Sequence, residues 1–196
     1  WMFKVIGTRK SRAFRVLWML EELGVAYEHD PSEPRSASAL AANTSGKIPA
    51  LLVDGQSITD STAIITYLAD SHGQFTTPAG SLARARQDAW TGMILDELDG
   101  ALWLAAKHSF VLPEDRRVPH VKPTAKWEYA ATQARLAEAF EGPFLMGDVM
   151  TVPDFLLVAC LQWAKIAGFP GVDDRLSDYL SLVTERPAYQ RAAKQP

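Results

Sequence analysis

Residues 48–59 constrain the fold more tightly than any other stretch of the chain. The apolar run Ile48-Pro49-Ala50-Leu51-Leu52-Val53 is separated from Gln56-Ser57-Ile58-Thr59 by Asp54-Gly55. Asp-Gly between two short β-like runs is among the stronger hairpin signals a sequence carries. A proline at the head of the first strand has no N–H to give to the ladder. Two readings of the Ile48–Pro49 bond stay open. A trans bond, the commoner case for X–Pro in general, simply starts an edge strand; a cis bond would turn the Ile48 amide and carbonyl outward, ready to pair with an extended peptide.

The hairpin belongs to a mixed first third. Phe3 to Ile6 is a short apolar strand, Ser11 to Leu23 reads as a helix with Gly24 as its stop, and a second strand follows around Val25 to His29. Beyond the hairpin, Thr62 to Ala69 reads as a helix that buries Ile64, Ile65 and Leu68. The order is βαβ, a loose helix or loop, then ββα. Gly, Pro, Thr and Ser take over between Ser71 and Ser81, which is linker chemistry. Everything later is helical in pattern: Leu82 to Ala106, Lys122 to Phe140, Val152 to Ile166 and Leu176 to Thr184. Pro113 to Pro119 interrupts two of these helices, because a helix interior does not hold both prolines. The expectation is an α/β N-terminal domain over 1–74, a linker at 75–81 and an all-α domain over 82–196.

Composition narrows the function. The 196 residues carry 20 Lys+Arg against 23 Asp+Glu, a net charge of −3, so the overall field offers no general attraction to a phosphate backbone and nucleic acid is not an expected partner. A single cysteine, Cys160, excludes an intrachain disulfide framework and a Cys-x-x-Cys site, and His29, His72, His108 and His120 form no ligand cluster in the sequence. No metal is expected. Apolar runs such as Phe155 to Leu161 fall well short of the roughly 20 residues that cross a bilayer, so no membrane role is expected. Trp1 to Ile6 lacks the features of a secretory signal, which makes the cytoplasm the expected location.

Chemistry concentrates at Asp60-Ser61, between the hairpin and the next helix. A carboxylate, a hydroxyl and the free amides of a helix N-terminus together suit a zwitterionic amino-acid head, with Asp60 for the ammonium and Ser61 with the amides for the carboxylate. The plainer alternative is that Asp60 or Ser61 only caps the helix. A second segment, Phe144 to Asp154, places Thr151 and Asp154 at S/T-x-x-D spacing with Pro153 in the first turn, a capping box with a structural role.

The βαβ…ββα order, the Lys47-Ile48-Pro49-Ala50-Leu51 motif, Asp60-Ser61 eleven residues after Pro49, the helical second half and the capping segment together resemble the cytosolic glutathione S-transferase family over essentially the whole chain. The resemblance implies a thioredoxin-like glutathione-binding domain, a helical domain that helps form the electrophile site, and a homodimer. It assigns Ile48, with Pro49, the main-chain contact to the cysteinyl unit of glutathione, Asp60 and Ser61 the γ-glutamyl head, and Lys47 the glycyl end. Lys47 reads equally well as a solvated turn lysine.

The family's thiol-activating group lies between the first strand and first helix, here Thr8-Arg9-Lys10-Ser11-Arg12. A free thiol with a pKa of about 8.5 is mostly protonated at neutral pH, so attack on an electrophile requires a stabilised thiolate. The window holds neither tyrosine nor cysteine. It therefore departs from the tyrosine-type and cysteine-type members and resembles the bacterial, serine-like type. Ser11 is the expected donor at the positive end of the helix, with Thr8, Arg9 or Lys10 assisting. Against this, serine is a favoured N-cap, and the resemblance sets Lys10 against the position where serine-type relatives often carry their serine. Arg12 and Arg15 read as solvated or ion-paired helix residues. For the electrophile, the family points to Trp103, Lys107, His108 and Phe110, although aromatics at such spacing are more often core, as Cys160 is.

The expected activity is conjugation of the glutathione thiolate to hydrophobic electrophiles in detoxification, with glutathione, a co-substrate, as the only small-molecule partner besides the electrophile. Glutathione-dependent peroxide reduction is a further expectation. The rival is a non-catalytic glutathione-transferase-like binding or scaffold protein.

Overall fold

The computed structural model describes residues 2–196; Trp1 lies outside the described residues. The chain divides into two compact units, residues 1–78 with 183–196, and residues 79–182. The first holds a four-stranded sheet in the order β2-β1-β3-β4, built from β1 (Phe3–Ile6), β2 (Tyr27–Asp30), β3 (Ala50–Val53) and β4 (Gln56–Thr59). β1 runs parallel to β2, and the connection carries α1 (Ala13–Leu23), as a parallel pair needs a crossover. β3 is antiparallel to both β1 and β4. Asp54 and Gly55 take φ values of 49° and 84°, the doubly positive turn that the Asp-Gly pair favours.

α1 is the buried spine of this unit. Val16 to Leu20 are fully buried, and Gly24 ends the helix at φ 66° in the left-handed conformation. α3 (Ser61–His72) packs on α1, and the short α2 (Ala37–Ala42) lies against β3. The sequence left 31–47 as a loose helix or loop; one and a half turns of helix form there, capped by the Ser36 side chain accepting from the Ala39 amide.

The boundary drawn from the sequence placed 82–196 in the helical domain, but Val183–Pro196 cluster with the first unit. The cause is α9 (Pro187–Ala192), which carries no long apolar period and so gave no sequence signal. The Tyr189 ring meets Phe14 and Trp18 of α1 edge-on, each at 5.1 Å between centroids.

The second unit is helical. The predicted helix from Leu82 runs through α4 (Leu82–Met93), a π-helical stretch at Ile94–Asp99, α5 (Gly100–Ala106) and a second π-helical stretch at Lys107–Val111. A 3-10 turn at Glu114–Arg116 interrupts the chain before α6 (Val121–Ala139), α7 (Val152–Ile166) and α8 (Ser177–Thr184). α7 is the most buried element and packs against α4, α5 and the first π-helical stretch. At its start the capping box forms between Thr151 and Asp154. The fully buried Asp154 carboxylate accepts from the Thr151 amide at 2.8 Å, the Leu145 amide at 3.0 Å and the Tyr179 hydroxyl at 3.0 Å. The Thr151 hydroxyl donates to it as well, at 3.3 Å, so removing this acceptor takes it from four buried donors. Asp154→Ala is expected to lower unfolding stability by about 3 kcal/mol or more in urea titration; a loss under about 1 kcal/mol would contradict the role.

Candidate functional site

Sheet register decides which residues meet. Ala50 pairs with Ile6 on one side and with Thr59 on the other. The end of β1, the start of β3 and the end of β4 therefore lie at the same end of the sheet. The chain leaves that end as three segments: Gly7 to Arg12, Lys47 to Pro49, and Asp60-Ser61. These contain every residue of the first unit that the sequence singled out for glutathione chemistry.

The Ile48–Pro49 bond is cis. Pro49 is buried, Ile48 half-buried and Lys47 exposed. Lys47 itself is tied into a turn, its carbonyl accepting from the Asn43 side-chain amide at 3.0 Å and its N–H donating to the Ser45 hydroxyl at 3.3 Å. Gly7 closes against this segment. A Cβ built on Gly7 would stand 3.0 Å from the Ile48 Cβ and 3.1 Å from that of Ala13, at a φ of +140°. Only glycine fits so close an approach at that backbone angle.

Asp60 combines two properties. It is the N-cap of α3, its Oδ1 accepting from the amides of Thr62 at 2.9 Å and Ala63 at 3.1 Å. It also sits at φ 71°, ψ 123°, which is unfavourable for a residue with a side chain. Capping alone does not require that backbone, since an N-cap residue ordinarily has β-region angles. Ser61 is only 3% exposed, and its hydroxyl oxygen accepts from the Arg15 guanidinium at 3.3 Å. With its oxygen supplied by a cation, the hydroxyl keeps its own proton to donate.

Of the two alternatives the sequence leaves for Arg15, a solvated or an ion-paired helix residue, burial removes the solvated one. Arg15 is 2% exposed. Helical periodicity puts it between Ala13 and Val16 on the buried side of α1, and a guanidinium there faces Ser61 rather than water. The signal was present in the sequence as a cation in an otherwise apolar stretch, Val16 to Leu20 following it directly.

The turn at 8–12 is held by bonds to the segment that ends β2 and by bonds of its own. The Thr8 amide donates to the Ser32 carbonyl at 3.1 Å, and the Gly7 amide to the Asp30 carbonyl at 2.9 Å. The Ser32 hydroxyl donates to the Asp30 carboxylate, which holds that carboxyl below its ordinary range. His29 buttresses the same place through its Nε2 contact with the Gly7 carbonyl at 2.9 Å. Ser11 donates its hydroxyl proton to the Thr8 carbonyl at 2.7 Å and accepts from the Ala13 amide at 3.1 Å. In this rotamer the serine caps its own helix, and its one proton is committed. Among the described residues the Thr8 hydroxyl and the exposed Lys10 ammonium make no hydrogen bond or ion pair. Arg9 is engaged, its Nε donating to the Gln195 carbonyl at 2.6 Å.

In the second unit Trp103 lies on α5 and Lys107 opens the second π-helical stretch, one helical turn apart and both half-buried; Phe110 is 70% exposed. His108 accepts at Nδ1 from the Val118 amide at 2.9 Å, a structural use. Cys160 is fully buried, its thiol 3.9 Å from the Asp99 carboxylate. Among the described residues no helix is long and apolar enough to cross a membrane.

Known proteins resemble the chain. Residues 11–71 match the model of the glutathione S-transferase N-terminal domain. Glutathione S-transferase GstA of Escherichia coli O157:H7 is 28% identical over 158 residues, 78% of this chain and 75% of that protein. The crystal structure of a glutathione transferase from Methylococcus capsulatus superposes with a TM-score of 0.82 at 26% identity, covering 98% of this chain and 97% of that one. A theta-class glutathione S-transferase from Xanthomonas axonopodis pv. citri, solved with glutathione bound, superposes with a TM-score of 0.82 at 23% identity over 99% of this chain and 98% of that one. The chain has the glutathione S-transferase fold, and its residues 11–71 are similar to that family's N-terminal domain.

The close approach at Gly7 gives a direct check on how the turn and the 47–49 segment are held together. Gly7→Ala is expected to lower stability by about 1–3 kcal/mol, read as a fall in the urea midpoint at constant slope. An unmoved midpoint would mean that the two segments do not meet as described.

Proposed function

We propose that the protein is a glutathione transferase, with glutathione as co-substrate and a small hydrophobic electrophile as its second substrate. The observation that carries this reading is the gathering, at one sheet end, of a hydroxyl with a free proton backed by a buried guanidinium, a carboxylate on an unfavourable backbone, the Ile48 main chain and a basic turn. Each suits one part of the tripeptide. The γ-glutamyl carboxylate is taken by the hydroxyl and the amide of Ser61, the first-turn amide of α3 that Asp60 does not cap, and the ammonium by the Oδ2 of Asp60, whose Oδ1 is occupied by capping. The cysteinyl amide and carbonyl pair with the Ile48 main chain beside Pro49. Lys47 answers the glycyl carboxylate.

The thiol is then delivered to the 8–12 turn. In our reading Lys10 supplies a cationic charge, Thr8 a hydroxyl donor, and Ser11 a hydroxyl once it turns away from the Thr8 carbonyl. Both kinds of contact favour the anion over the thiol. The thiolate sulfur attacks the electrophilic atom, the sulfur–carbon bond forms, and the electron pair leaves with the departing group or remains on the acceptor; the thiol proton passes to solvent. Trp103, Lys107 and Phe110 are, in this reading, the second unit's residues for electrophile recognition. Peroxide reduction uses the same thiolate, with a second glutathione closing the disulfide. In this reading the protein works in the cytoplasm as a homodimer and serves detoxification.

The committed Ser11 proton favours one rival, a binding protein that grips glutathione without activating it. Retention on glutathione-agarose is expected from both, and turnover of a chloronitrobenzene electrophile only from the transferase. Head-group variants test the site itself: Ser61→Ala is expected to raise the glutathione KM several-fold, and Asp60→Asn by about tenfold, the equivalent of roughly 1.4 kcal/mol. Unchanged KM in both would remove the head-group site.

The donor is tested separately by the ultraviolet absorbance of the bound thiolate as pH is raised. Lys10→Met is expected to shift the apparent thiol pKa upward by about one unit, the differential worth of one close charge. If the shift appears in Ser11→Ala and not in Lys10→Met, the serine is the donor and the lysine assignment fails.

A further inference from the structure

The C-terminal segment Val183–Pro196 reaches every level of α1, from its last turn to the loop that precedes it. At the far end, Arg186 donates from Nε and Nη2 to the two oxygens of Glu22, both at 2.7 Å. The Glu22 side chain is only 5% exposed and also accepts from the Trp18 indole at 2.9 Å. Arg191 holds the neighbouring Glu21 at 2.6 Å and the Glu21 carbonyl at 3.1 Å, and Gln195 adds a side-chain bond to Glu21 at 3.4 Å. Midway, Tyr189 meets Phe14 and Trp18 edge-on. At the near end the Gln195 carbonyl takes the Arg9 Nε at 2.6 Å.

The geometry points to a strap: residues 183–196 fix the 8–12 turn, and Arg9 is the positioning residue through which they do so. Arg9 therefore does not face the sulfur, because its guanidinium is aimed along α1 at the strap. The physical case rests on precision. The turn has one short loop to hold a donor against a thiol, and a side chain in a catalytic position loses effect steeply when displaced by as little as 1 Å. The Thr8 amide is tied to the Ser32 carbonyl and Ser11 is held by bonds within the turn, while among the described residues the main chain of 9 and 10 has no partner in a neighbouring strand. The Arg9 bond supplies a long-range tie at that middle part of the turn. This inference rests on the glutathione-transferase reading for its kinetic consequence, but the tie itself does not.

The test uses the full chain with three single variants: Arg9→Met, which removes the donor; Arg9→Lys, which keeps a cationic donor; and Tyr189→Ala, which loosens the strap without touching the turn. Amide hydrogen exchange across residues 8–12 is measured without ligand, and the thiolate titration and steady-state kinetics with glutathione. Exchange is expected to quicken about tenfold or more in Arg9→Met and Tyr189→Ala and to return toward wild type in Arg9→Lys. The bound-thiol pKa is expected to rise by about one unit in the first two, with kcat at neutral pH down about tenfold and recovering at higher pH. The glutathione KM, set by Ile48, Asp60 and Ser61, is expected to stay within about twofold. Unchanged exchange in Arg9→Met and Tyr189→Ala overturns the strap, and quickened exchange with an unmoved thiol pKa overturns the positioning role. Failure of the wild type to bind glutathione would sink the transferase reading instead, leaving the exchange result to decide the strap.

Discussion

Ala50 is hydrogen-bonded into the sheet between Ile6 and Thr59, and the candidate site depends on that register. A shift by one residue would turn the side chains of β3 to the other face and carry the 47–49 segment away from Asp60-Ser61. The register is secured from both sides. The Asp54-Gly55 turn fixes β3 against β4, and burial of Val5 and Leu51, both fully enclosed, fixes β3 against β1. A packing constraint in the sheet thus becomes a placement of polar groups at its end.

Those polar groups carry out two jobs with few atoms. Asp60 divides its carboxylate, one oxygen capping α3 and the other left outward, and Ser61 turns a buried arginine into a hydroxyl with a proton to give. Arg15 is the hidden part of this arrangement. A guanidinium 2% exposed is costly to bury without partners, and its position beneath the first residue of α3 places positive charge where an anionic head group would be received. The turn at 8–12 is organised differently, through the Thr8–Ser32 bond, the Ser11 bonds within the turn and the Arg9–Gln195 bond, with its exposed cation at Lys10.

Much of this was legible in the sequence, for identifiable reasons. Asp54-Gly55 announces its turn because few residues accept two positive φ angles in succession, and the Thr151–Asp154 box announces α7 because its spacing is set by one helical turn. Other features have no sequence period of their own. The π-helical stretches at 94–99 and 107–111 differ from α-helix by a single extra residue per turn and share its composition. α9 is six residues long and held by tertiary contacts to α1, so its membership of the first unit is invisible from local pattern. The Ser11 hydroxyl was read as a thiol donor, and the structure has it bonded to the Thr8 carbonyl; rotamer choice decides between the two, and sequence does not encode it. The solvated alternative for Arg15 fails because the usual tendency of a helix arginine to face water is overridden here by tertiary packing.

A crystal structure of the protein soaked with glutathione tests the central claim most directly. The account predicts the tripeptide lying along the 47–49 segment, its cysteinyl main chain paired with Ile48, its γ-glutamyl carboxylate on the Ser61 hydroxyl, and its sulfur within about 3.5 Å of a donor from the 8–12 turn. Glutathione bound elsewhere, or bound here with its sulfur turned away from that turn, would contradict it.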